Sequence, residues 1–219
     1  MTTKINDHFI WIKDNVLSPS FCKHVIEKFK KSPDKSRGIA GIEPKIQEIK
    51  KSTDLFISSR EDWLEEVKVL NDANMQCFLE YNEYIQNINL PTDDGYEKKC
   101  VPGIFQQLDD AVIIDNGHNL QETKPKDYYS WHSDWLSTQY GTRYVTYIFY
   151  LNTVDEGWTQ FYDKSQVAPV AGRVLMFPST WHIIHRGFPP KQTKYISTGW
   201  IMQASQQHTS INNGLISRQ

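Results

Sequence analysis

The sequence is poor in cysteine. Its 219 residues hold three, Cys22, Cys77 and Cys100, set 55 and 23 residues apart. An odd count without close pairs argues against a disulfide framework, matches no zinc-finger spacing and suits a reducing compartment. Long apolar runs are missing too. No segment approaches a transmembrane span, and the N-terminus (Met-Thr-Thr-Lys-Ile-Asn-Asp-His) has no stretch of signal-peptide length. The expectation is a soluble cytoplasmic protein with no membrane partner. Excess charge is also lacking. The sequence has 24 Lys plus Arg against 26 Asp plus Glu, a formal net charge of -2. Bulk electrostatics therefore give no affinity for nucleic acid, and the first half shows no interleaving of basic and aromatic residues. No nucleic-acid partner is expected.

Aromatic residues, by contrast, are plentiful: seven Trp and eleven Tyr, many of them after residue 128. Aromatic and β-branched residues favour strands, so the second half reads as sheet. The first half reads as helical. Ser18 and Pro19 form a good N-terminus, and Phe21, Val25, Ile26 and Phe29 follow at helical spacing, predicting a helix over 19–31. Ser59 is expected to cap a second, longer helix ending near Asn87, its apolar stripe running from Trp63 and Val67 to Tyr81 and Ile85. Residues 8–14 suggest an edge strand and Leu55–Ile57 a short one. Segments 32–52, 87–103 and 116–127 read as loops. Strands are expected near 104–108, 111–115, 128–135, 142–152, 158–162, 166–169, 173–177, 182–187 and 194–203. Short strands at close spacing suggest a sandwich or barrel, with the earlier helices on one face. One domain spans 1–219: helical support over 1–103, a β core over 104–203 and a polar, frayed tail over 204–219.

The chemistry-bearing residues cluster in the second half. Residues 130–135 read Ser-Trp-His-Ser-Asp-Trp. In a strand, residues two apart face one side, so His132 and Asp134 project into one space. His185 follows 51 residues after Asp134. Two histidines and one carboxylate, leaving open positions, make the facial set of non-haem iron(II) oxygenases. Lys194 lies nine residues past His185 and shares a strand face with Thr198 and Trp200. A cation inside a barrel is costly unless an anion pairs with it, and a dicarboxylate cosubstrate would supply one. The alternative is a Lys194 on an outer, solvated face. His182 lies close to His185 and reads as a support or surface residue.

The run from about Tyr128 to Met202 resembles the 2-oxoglutarate/iron(II) oxygenases of the prolyl 4-hydroxylase-like type. The matching blocks, in order, are His132-Ser133-Asp134, Tyr150-Leu151-Asn152, Gly157-Trp158-Thr159-Gln160-Phe161, Pro169-Val170-Ala171-Gly172 running to Phe177, His185-Arg186-Gly187 with Pro189, and Lys194 at the basic position. One departure is Glu156-Gly157-Trp158-Thr159 where the family carries Gly-Gly-Glu-Thr. The resemblance implies an α+β fold, a double-stranded β-helix or jelly roll with helices packed on one sheet. It implies iron(II) on His132, Asp134 and His185, with 2-oxoglutarate and O2 as cosubstrates and ascorbate as an optional accessory reductant. It places 2-oxoglutarate against Lys194, with Tyr150 and Thr198 hydrogen-bonding it and Trp200 walling the pocket. For Tyr150 and Thr198 the alternative is a packed core residue with a satisfied hydroxyl. The implied reaction hydroxylates an unactivated C–H bond and releases succinate and CO2.

Substrate identity is less legible. A prolyl or other peptidyl substrate is the first expectation on resemblance, and a free amino acid or other small molecule the second. Trp135 and Arg143 flank the ligand set as candidate substrate contacts. Two other classes stay open: a metal-binding jelly roll without turnover, and a zinc hydrolase, which would leave Lys194 without a task.

Overall fold

The computed structural model describes residues 3, 9–39, 49–88, 112–139 and 141–204, and the strand pair partner at 215–216. The expected strand at 104–108, Cys100, most of loop 87–103, the middle of loop 32–52 and the remaining tail lie outside the described residues.

Two antiparallel sheets face each other. The larger runs in the order β1 (Trp11–Lys13), β11 (Val174–Pro178), β8 (Gly141–Tyr150), β13 (Lys194–Ala204), β5 (Asn119–Thr123), β3 (Thr53–Phe56) and β2 (Ser36–Arg37). β4 (Val112–Asp115) continues the β13 edge beyond β5 and pairs with β14 (Leu215–Ile216), while β7 (Ser137–Thr138) pairs with β8. The smaller sheet runs β10 (Gln166–Val167), β9 (Thr159–Phe161), β12 (His185–Gly187), β6 (Tyr129–His132). The double-stranded β-helix with helices on one face is therefore the observed fold. β1 and β3 from the first half are built into the large sheet. Segment 116–127 is no simple loop. It contains β5, whose Asn119–Thr123 hides a half-buried strand among polar residues.

The alternation of β8 explains the layering. Val145, Tyr147 and Phe149 point to one face and join the helices in the main core. Ile148 and Tyr150 point to the other, into a second core with Leu175, Phe177, Ile196 and Phe161 of the opposing sheet. Helix α1 (Pro19–Lys31) starts where expected: Ser18 accepts from the Phe21 amide with Pro19 in the first turn. It buries Cys22, Val25 and Phe29. Helix α2 (Leu64–Gln86) begins later than the sequence suggests. Glu61–Trp63 form a 3₁₀ turn first, and no side chain caps the helix, so Ser59 is not its cap. The helices are joined by the buried Glu66, which receives His24 Nε2 at 2.6 Å and Lys28 Nζ at 2.7 Å. Cys22 and Cys77 are free and buried, and no helix among the described residues is long and apolar enough to cross a membrane.

A polar pin fastens α2 to the large sheet. His118, fully buried in the turn between β4 and β5, lies 3.1 Å from both Asn71 Oδ1 and Ser197 Oγ. The amide oxygen of Asn71 can only accept, so His118 Nε2 carries the proton and Nδ1 accepts from Ser197. Burial pushes the imidazole pKa down to about 4.

Candidate active site

The smaller sheet carries the histidines. His132 closes β6 and His185 opens β12, and the two are paired directly across the ladder. Their rings stand 4.3 Å apart between centroids. Asp134 lies two residues beyond the end of β6, outside the ladder, and not within a strand reaching 135 as expected. Its carboxylate nonetheless meets both rings: Oδ1 is 3.5 Å from His132 Nε2 and Oδ2 is 3.6 Å from His185 Nε2. These separations lie below the roughly 4.2 Å that two ligands, each about 2.1 Å from one ion, can span. His132, Asp134 and His185 are the cluster among the described residues able to hold a metal ion, with all three ligand atoms within 4.8 Å of one another.

The donor chemistry fits as well as the spacing. His132 Nδ1 lies 2.7 Å from the Ser130 carbonyl and His185 Nδ1 lies 3.2 Å from the Ile183 carbonyl. A carbonyl only accepts, so each Nδ1 carries the proton and each Nε2 presents its lone pair to the shared space. Burial, with the neighbouring His132, pushes the His185 pKa down to about 4 and keeps that ring neutral. Burial opposes ionisation of Asp134, but attraction to His185, contact with His132 and the hydrogen bond from Thr146 outweigh it, holding the carboxyl well below its usual range. Two imidazoles beside one ionised carboxylate form a ligand set for a divalent cation. Packing fixes the rings: Tyr129 stacks on His132 at 3.5 Å, and Phe177 meets His185 edge-on at 4.8 Å. His182 is exposed and stays out of the cluster.

A cavity of about 480 Å³ opens over the cluster, between the two sheets. β13 lines one wall with Lys194, Ile196, Thr198 and Trp200, the alternate residues expected to share a face. Lys194 is buried, not on the outer face, and donates to the Gly157 carbonyl at 2.7 Å. Among the described residues no carboxylate forms an ion pair with it, and burial lowers its pKa to about 8. Gly157 has φ +67°, and an added Cβ would stand 2.9 Å from Pro190. The turn that aims its carbonyl at Lys194 thus needs glycine, the part of the family's turn this sequence retains.

The remaining expected residues divide. Thr198 lines the cavity, but its hydroxyl proton goes to the Tyr147 carbonyl at 2.8 Å, leaving the oxygen to accept only. Tyr150 does not line the cavity. It is fully buried behind Thr159, with 2.7 Å between the two hydroxyl oxygens, and Thr159 faces the cavity in its place. Arg143 lies over the Trp200 ring at 3.4 Å and reaches the Asp134 carbonyl at 3.4 Å. Trp135, half-exposed, stands at the mouth. Sequence reasoning passed over Thr159, Tyr129 and Thr146. Thr159 and Tyr129 lie inside blocks already singled out, and Thr146 is the one small hydroxyl in an otherwise apolar run of β8. The buried ion pair Lys50–Asp54 at 2.7 Å, also on the cavity wall, left no sequence signal because Lys50 comes from a segment that reads as loop.

The site is thus a His-Asp-His cluster between the two sheets of a jelly roll, with the buried Lys194 beside it. Residues 118–202 match the model of the 2OG-Fe(II) oxygenase superfamily, and the chain shares the fold of solved prolyl hydroxylases. Similar solved structures include a prolyl hydroxylase from Trichoplax adhaerens in complex with a hypoxia inducible factor peptide fragment (18% identity, 95% of this chain and 89% of that one, TM-score 0.65). A Pseudomonas putida prolyl-4-hydroxylase is 14% identical over 90% of this chain and 94% of its own, with TM-score 0.60. The viral collagen prolyl hydroxylase of Paramecium Bursaria Chlorella virus-1, in its 2OG complex, is 18% identical over 90% and 97%, with TM-score 0.58. No curated protein matches the sequence significantly.

Proposed function

We propose that this protein is a 2-oxoglutarate/iron(II)-dependent oxygenase that hydroxylates an unactivated C–H bond on a prolyl or other peptidyl residue, releasing succinate and CO2. The observation that carries the reading is the buried, anion-free Lys194 beside the His132–Asp134–His185 cluster in one cavity. The fold it shares with the prolyl hydroxylases above supports a peptidyl substrate, as does the peptide seen on the Trichoplax enzyme.

His132, Asp134 and His185 hold iron(II) through Nε2, a carboxylate oxygen and Nε2. The bound iron, with 2-oxoglutarate and O2, supplies the oxidation chemistry. The protein binds and orients. Lys194 pairs with the distal carboxylate of 2-oxoglutarate, held on the Gly157 carbonyl so that its ammonium stays in the cavity. Thr159, backed by Tyr150, offers a hydroxyl to the same carboxylate. Ile148 and Ile196 exclude water around the chain of the cosubstrate, where the low dielectric strengthens the Lys194 contact. Arg143, rigid on Trp200, and Trp135 at the mouth contact the primary substrate.

The test is anaerobic titration with iron(II), then 2-oxoglutarate, watching for the visible charge-transfer band of the chelated complex. A band lost in Asp134→Ala and Lys194→Ala supports the site. Metal binding without a band would leave a binder or hydrolase. Proline-containing peptides and free proline, compared for stimulated succinate release, then test the substrate class.

A further inference from the structure

Asp134 is the ligand whose backbone the sheet does not fix, since β6 ends at His132. Something else must aim its carboxylate. Thr146 Oγ1 on β8 donates to Asp134 Oδ2 at 2.9 Å and lies 2.7 Å from Ser179 Oγ, just past the end of β11. Thr146 and Ser179 are each 1% exposed. A threonine hydroxyl has one proton, and here it goes to the carboxylate, so the second contact must be Ser179 donating to Thr146. The relay therefore runs one way, Ser179 to Thr146 to Asp134. Thr146 sits on β8 and Ser179 directly follows β11, two neighbouring strands of the large sheet paired through Phe177 and Thr146. The histidines belong to the opposite sheet. The relay thus ties the ligand that lies beyond the end of the smaller sheet's strand to the centre of the larger sheet.

We propose that Thr146 and Ser179 are positioning residues for the iron ligand Asp134, keeping Oδ2 engaged with the protein so that the carboxylate ligates through one oxygen. A carboxylate free to bind through both oxygens would occupy a further position that the cosubstrates need. This inference rests on the proposed iron site, but not on turnover or on the identity of the substrate.

The test uses cobalt(II), whose visible absorption reports coordination number, on the intact chain. Thr146→Val keeps the shape and removes the hydroxyl, while Thr146→Ser keeps the hydroxyl and removes the methyl. Thr146→Val should bind cobalt(II) about 10- to 100-fold more weakly, the cost usual for outer partners of metal ligands. Its visible bands should lose intensity as coordination rises. Thr146→Ser should restore both, and Ser179→Ala should fall between. Wild-type affinity and spectrum in Thr146→Val would overturn the proposal, as would Thr146→Ser behaving like Thr146→Val, because then the methyl packing matters and not the hydroxyl. Iron(II) and 2-oxoglutarate added to wild type separate the two readings: no charge-transfer band would sink the oxygenase site, while the cobalt(II) comparison would still decide the relay.

Discussion

Lys194 stands with its ammonium 2.7 Å from the carbonyl oxygen of Gly157 and forms no ion pair with any carboxylate among the described residues. A neutral carbonyl satisfies one of three donors and none of the charge. A buried ammonium in that state costs stability, which its pKa near 8 against an ordinary 10.5 records. Lys194→Met should therefore raise the stability of the cosubstrate-free protein, by on the order of 2–3 kcal/mol at pH 7. It should also abolish 2-oxoglutarate binding. Urea unfolding of both proteins, with and without 2-oxoglutarate and a divalent metal, checks this. A variant less stable than wild type would mean that Lys194 is already paired.

The same group sets a pH limit on cosubstrate affinity. Below about pH 8 Lys194 is charged and ready for a dicarboxylate. Above it the free protein loses the proton that the complex retains. The dissociation constant for 2-oxoglutarate should therefore rise as pH climbs past 8, by up to about tenfold per unit. Calorimetry at pH 7, 8 and 9 should also show proton uptake on binding at the higher values. A flat affinity across that range would remove Lys194 from the cosubstrate site.

Thr159, and not Tyr150, presents its hydroxyl to the cavity. Thr159→Val should weaken 2-oxoglutarate binding about fivefold, the worth of one ordinary hydrogen bond. Tyr150→Phe should act more weakly, through the loss of the partner that orients Thr159. Equal binding by Thr159→Val and wild type would remove Thr159 from the cosubstrate site.

His118 makes the fold acid-sensitive. Its folded pKa is about 4 against 6.5 when exposed, so the unfolded chain takes up the proton first as pH falls. Its contribution is complete above about pH 6.5 and is lost progressively down to about pH 4, in total on the order of 3 kcal/mol. In His118→Gln that part of the pH dependence should vanish. Unfolding free energies of both proteins at pH 7.5, 5.5 and 4.5 make the comparison, and parallel curves would refute it.

Much of the site was legible because its elements follow local rules. Period-two alternation puts Lys194, Thr198 and Trp200 on one face whatever the rest of the fold does, whereas Asp134 reaches the space beside His132 from beyond the end of β6 and not by strand alternation. What escaped depends on pairing across long separations. The Asn119–Thr123 strand is polar because one edge lies under β3 and the other along β13, and only the pairing makes it a strand. The cap of α2 was misread because Ser59 is followed by residues that first close a 3₁₀ turn under the buried Trp63. The exchange of Tyr150 for Thr159 at the cavity wall is a matter of depth between sheets, to which sequence spacing is blind.

Asp134→Ala tests whether the cluster serves the metal or the fold. The carboxylate is buried, but its neighbours do not depend on it alone. Thr146 keeps Ser179 as a partner, and both imidazoles keep their backbone carbonyls. Loss of Asp134 should thus leave the metal-free melting temperature within a few degrees of wild type. Iron(II) behaves differently. A ligand that binds only the folded state raises stability in proportion to the logarithm of its concentration over its dissociation constant. Anaerobic iron(II) should therefore raise the melting temperature of wild type and leave that of Asp134→Ala unchanged. Iron bound at full occupancy in a crystal of the variant, or an equal thermal shift in both proteins, would place the metal elsewhere.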